Sequence, residues 1–190
     1  MDRMTYRYTF PDRFVAGTIG VPGQRTFFIQ ARDGNRINSV VCEKQQVGIL
    51  AEHLERILDE LGKIASGIDV PPPVSQASDL GPLDQPLDED FRVGTMTLAW
   101  DAGEQCIAIE LFSVVEADES SDLDPFEQTV ENADASLQVR IDPATARQFI
   151  ARARALIVSG RPECPFCEQP INPEGHLCPR ANGYRKPLFD

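Results

Sequence analysis

Short alternations of apolar and polar positions dominate the N-terminal part of the chain. Residues 6–10, 13–19, 25–31 and 36–42 are rich in β-branched and aromatic side chains, and Pro11-Asp12, Val21-Pro22-Gly23 and Asp33-Gly34-Asn35 separate them with turn chemistry. Four strands are predicted there. The period then changes. Over 44–65, Val47, Leu50, Leu54, Ile57, Leu58 and Leu61 recur at three and four, while Glu52, Glu55, Arg56, Asp59 and Glu60 fall elsewhere. That spacing predicts an amphipathic helix, with His53 a surface residue beside its charged face. From 67 to 90 the periodicity is lost in Pro71-Pro72-Pro73, Gly81-Pro82 and scattered acids, which reads as a linker or a loop ordered by contact.

The second half repeats the plan. Strands are predicted over 91–100 and 105–115, joined through Asp101-Ala102-Gly103, and a further one carries Leu137, Val139 and Ile141 in alternation with polar neighbours. Asp142 and Pro143 then supply an N-cap and a first-turn proline for a helix to about Val158. Its buried stripe is Phe149, Ile150, Ala153, Leu156 and Ile157, and Gly160 is placed to end it. Phe14-Val15-Ala16-Gly17-Thr18 echoes Phe91-Arg92-Val93-Gly94-Thr95, each ahead of further strands and one helix. The pattern predicts an α+β body of two β-meander-plus-helix units, an internal duplication with both helices on one face. The body spans 1–160, with halves of about 1–66 and 91–160 and the acidic, Pro-rich linker 67–90 between them, and 161–190 forms a small zinc-ribbon-like segment.

Charge refines this division. The chain of 190 residues is acidic, with a net charge of −12. Residues 1–139 hold 10 basic and 25 acidic side chains, whereas 140–190 hold 8 basic and 5 acidic. The body is therefore unsuited to coating DNA or an anionic membrane. The acids of 116–134 repel one another, and with no glycine there they do not make an EF-hand calcium loop. No apolar run approaches the roughly 18–20 residues that span a bilayer, and the first ten residues lack a signal-peptide core. A cytoplasmic protein is expected.

The strongest chemistry lies near the end. Cys164-Pro165-Phe166-Cys167 is followed at short range by His176-Leu177-Cys178. Three soft thiolates and an imidazole are the donor set of a tetrahedral zinc site, and the two-residue gap lets one turn present both sulfurs to the same ion. Cys164, Cys167, His176 and Cys178 fill four positions, so one Zn²⁺ is expected in a structural role, without an open position for catalytic water. A redox C-x-x-C would leave His176 and Cys178 unexplained, and an odd count of five cysteines fits a disulfide framework poorly. Cys42 and Cys106 read as buried fillers in strands. Gly17, Gly20 and Gly23 lack the lysine and hydroxyl of a phosphate loop and read as turn chemistry. With one of two histidines assigned to metal, a hydrolytic triad is not expected.

Several strings carry a resemblance: Gly17-Thr18, Pro22-Gly23-Gln24-Arg25-Thr26-Phe27-Phe28, Phe91-Arg92-Val93-Gly94-Thr95-Met96, Leu98-Ala99-Trp100, and the run from Cys164-Pro165-Phe166-Cys167 through His176 to Arg185. Together they resemble an uncharacterised actinobacterial family, a domain-of-unknown-function group of about this length. The resemblance implies an actinobacterial, cytoplasmic protein and brings no activity. Glu168 stands where zinc knuckles usually place glycine, a departure costing about 1–2 kcal/mol in a left-handed conformation.

Three functions follow as expectations. The first is a non-enzymatic interaction or adaptor module whose partner is a protein or macromolecular assembly, with Arg180, Asn182, Tyr184, Arg185 and Lys186 as contacts. The second is an enzyme or metabolite-binding protein with a pocket between the two halves around Arg25, Arg92 and Trp100. The third is single-stranded nucleic-acid binding by the C-terminal segment, Phe166 and Tyr184 stacking on bases.

Overall fold

The computed structural model describes residues 3–21, 23–64, 67–115 and 132–160, together with residues 164, 166, 167, 171 and 178. The elements run β1 (Met4–Thr9), β2 (Arg13–Ile19), β3 (Thr26–Asp33), β4 (Arg36–Cys42), α1 (Lys44–Ile64), β5 (Glu89–Asp101), β6 (Cys106–Ser113), β7 (Ala135–Ile141) and α2 (Pro143–Val158). The seven strands among the described residues join one mixed sheet in the order β1-β7-β6-β5-β4-β3-β2. The predicted plan is visible in it: the meander β2-β3-β4 leads into α1, and the meander β5-β6-β7 into α2. The echoing pentapeptides open equivalent strands, with Phe14 and Ala16 on β2, and Phe91 and Val93 on β5, all facing the same core.

One expectation changes. β1 does not extend the first meander; it pairs in parallel with β7, Met4 opposite Ala135. The meanders meet through a parallel contact, Val40 opposite Phe91, which makes one continuous mixed sheet. A geometric consequence follows from the short connection 10–12. Edges of a flat seven-stranded sheet would lie about 29 Å apart, six spacings of about 4.8 Å. Four Cα–Cα steps from Thr9 to Arg13 reach at most about 15 Å. The sheet therefore curls until its edges approach at that end. Phe10 takes a left-handed φ of 51° in the tight link. Across the closure the Tyr8 hydroxyl donates to Asn38 Oδ1 at 2.7 Å, and the Arg36 guanidinium lies 4.0 Å from the Tyr8 ring centroid.

Both helices fill the concave face. Val47, Leu50, Leu54 and Leu58 of α1 are fully buried against alternate strand residues such as Ile29, Val40, Ile109 and Leu137. α2 packs on α1, β2 and β6, with Phe149 stacked on Phe14 at 5.0 Å. The helices are antiparallel, since Arg154 pairs with Glu55 and Arg147 with Asp59. The Asp142 carboxylate caps α2 by accepting from Thr145 N at 2.7 Å. At the other end Ser159 forms the cap, its N–H bonded to Ala155 O, and Gly160 follows without a left-handed φ.

Residues 67–90 form a strap rather than a free tether. Arg147 donates to Pro71 O, and the Ser78 amide and hydroxyl both contact Gln148 Oε1, so the strap lies against α2. It then turns past the β2 edge onto the convex face of the sheet, where Leu83 and Leu87 pack against Val15, Phe28 and Val41. Gly17 belongs to this contact and not to a turn: a Cβ there would lie 2.5 Å from Leu83. Gly20 and Gly23, with φ of 101° and 97°, do serve the β2–β3 turn. No helix among the described residues is long and apolar enough to cross a membrane. The acidic stretch 116–131 lies outside the described residues.

Candidate metal centre

Cys164, Cys167 and Cys178 converge, with their sulfurs all within 4.8 Å of one another. Local geometry follows from the C-x2-C spacing. The amides of Cys167 and Phe166 reach back to the Cys164 sulfur, as do the Cys167 and Cys178 thiols. Burial opposes ionisation of Cys164, yet those donors hold its thiol below the ordinary range, because hydrogen bonds to the thiolate favour it. Cys164 and Cys178 are buried, 4% and 7% exposed, while Phe166 projects outward at 62%.

The sulfur separation indicates what the cluster can hold. Cys164 Sγ lies 3.7 Å from Cys178 Sγ, far beyond a disulfide bond of about 2.05 Å. A tetrahedral ion with metal–sulfur bonds of about 2.3 Å sets its ligand sulfurs about 3.8 Å apart. The three cysteines are thus placed to hold a metal ion. His176, the fourth expected ligand, lies outside the described residues, as do Arg180, Asn182, Tyr184, Arg185 and Lys186. Cys42 and Cys106 are buried in β4 and β6, and burial, reinforced by Glu43, pushes the Cys42 thiol up.

A second concave region lies where the two units meet. One cavity of about 180 Å³ is lined by Gly23, Arg25, Phe27, Lys44 and Gly160. A neighbouring one of about 210 Å³ shares Arg25, Phe27 and Lys44 and adds Cys42, Glu43 and Arg92. Arg25 and Arg92 are thus brought together, whereas Trp100 lies at the far end of β5, opposite Ile107, and lines neither cavity. Lys44 escaped the sequence reading because it looks like any charged residue opening a helix.

The reading also missed the arginines buried on α2. Arg147 and Arg152 are each 5% exposed. Arg152 donates to Ala16 O at 2.6 Å, Asp79 O at 2.7 Å and Gly81 O at 2.7 Å, tying α2 to the β2 edge and the strap. A signal existed: Arg152 follows Phe149 by three and precedes Leu156 by four, the spacing of the apolar stripe itself.

No curated protein and no solved structure matches the chain. A family model described as "Protein of unknown function (DUF3090)" matches residues 6–178, which take in the curled sheet, both helices and all three converging cysteines. The chain belongs to that family.

Proposed function

We propose that the chain is a non-enzymatic, zinc-containing interaction module, its metal structural and its partner a protein or larger assembly. The observation that carries the reading is the converging trio of thiols, Cys164 and Cys178 buried with their sulfurs 3.7 Å apart. Three thiolates favour zinc among abundant divalent ions, and His176, two residues before Cys178, would complete the shell. A closed four-ligand shell stabilises a segment too short to bury its own core. Phe166 next to the cluster offers an aromatic anchor, and Arg180, Tyr184, Arg185 and Lys186 would supply cationic and aromatic contacts around it.

Metal analysis tests the zinc. The full chain should carry close to one zinc, and Cys164→Ser well below one with the circular dichroism of the α+β body retained. A value well below one in the intact chain refutes the site. Affinity capture from native lysate tests the adaptor role. A partner held by the intact chain and lost with both Cys164→Ser and Phe166→Ala supports it, and the absence of any such partner refutes it.

A further inference from the structure

None of the three converging cysteines lines the cationic groove at the seam of the two units. Its charges come from three places in the chain: Arg25 just before β3, Lys44 at the first turn of α1, and Arg92 on β5. Arg25 and Lys44 converge over Gly160. Measured from the position a Cβ on that glycine would take, Lys44 Nζ is 3.5 Å away and Arg25 Nη2 3.6 Å. The two charges are therefore no more than about 7 Å apart and repel each other. Among the described residues no carboxylate pairs with either. Arg25 is held by Ser159 Oγ at 3.3 Å and lies over the Phe27 ring, contacts that orient it without neutralising it. The groove's one described acid, Glu43, is engaged by Arg92 at 2.7 Å. Three cations and one carboxylate leave a net +2 in a concave site, on a chain whose total is −12.

Gly23 and Gly160 keep one wall bare, and the positive end of α1 opens at the same rim, where no side chain among the described residues accepts from the Lys44 or Gln45 amides. We propose that this groove binds the phosphate group of a small phosphorylated molecule. The guanidinium of Arg25 offers a donor fork, Lys44 a mobile point charge, and Arg92 a second fork released when the phosphate displaces Glu43. A phosphate dianion matches the net charge. Cavities of about 180 and 210 Å³ suit a small molecule rather than a macromolecular surface.

The probe is inorganic phosphate, titrated into the full zinc-loaded chain by calorimetry at constant ionic strength. Saturable one-to-one binding is expected, weakened at least tenfold by Arg25→Gln and by Lys44→Gln. Glu43→Gln should tighten binding severalfold by removing the competing carboxylate, a gain that a folding defect cannot produce. Cys164→Ser should bind as the intact chain does, which separates this groove from the metal cluster. The proposal is overturned by no saturable binding, by unchanged affinity in Arg25→Gln and Lys44→Gln, by no gain in Glu43→Gln, or by loss of binding in Cys164→Ser.

Discussion

Arg152 concentrates more of the fold's polar bonding than any apolar residue could. Its guanidinium satisfies the carbonyls of Ala16, Asp79 and Gly81 and meets the Asp79 carboxylate at 3.2 Å, all while 5% exposed. Removing it strands those acceptors and leaves Asp79 with one fewer cation. Arg152→Gln should cost about 3–5 kcal/mol in urea unfolding. Arg152→Lys should recover only part of that, because an ammonium cannot reproduce the fork. Asp79 sets a pH dependence. Its carboxyl is held below the usual range chiefly by the Arg13 hydrogen bond, against burial, with the Gly81 amide and the charges of Arg13 and Arg152 assisting. The folded state therefore favours the ionised form. Its contribution is complete above the ordinary carboxylate range and is lost as pH falls through the lowered value. The urea midpoint of the intact chain should exceed that of Asp79→Asn at neutral pH, and the gap should narrow as pH falls through and below the ordinary carboxylate range. The role of Asp79 was not legible in the sequence, where it is one more acid in a proline-rich stretch. The cysteines were legible because metal chemistry restricts spacing as strictly as it restricts residue type.

Among the elements, the strap depends on one close approach. Leu83 fills the space a side chain on Gly17 would need, and the two meet on the convex face of β2. Gly17→Ala should destabilise by about 1–3 kcal/mol through overpacking. In a Leu83→Ala background the same change should cost markedly less, and a double-mutant cycle by urea denaturation reads that coupling directly. Equal costs in the two backgrounds would show that the contact is not what keeps the glycine. Strand and helix limits set by local chemistry were well marked in the sequence: β2, β4 and α2 begin and end where turn residues, Asp142 and Pro143 place them. The β-bulge in β5 was also visible, unread, as a phase change: Phe91 and Val93 face the core, and then Met96 does. Pairing was not visible. Alternation says which face of a strand is buried and nothing about its neighbour, so β1 was grouped with the strands that follow it in the chain.

At the scale of the whole molecule, part of the acidity of the body is paired within the fold. Asp84 pairs with Arg13 and Arg32, and Asp90 accepts from Asn38 and from the Ser39 amide at the seam of the meanders. These acids fasten the strap to the sheet. The remaining cationic excess in the groove then stands out against the body around it. The pairing of β1 also bears on how the chain is made. Met4 waits for Ala135, so at ordinary rates of synthesis the first strand spends on the order of ten seconds outside the ribosome before its neighbour exists. The meander β2-β3-β4 and its helix can assemble meanwhile from local contacts. The first strand to emerge is thus the last to find its place, and completing the sheet depends on its staying accessible until then.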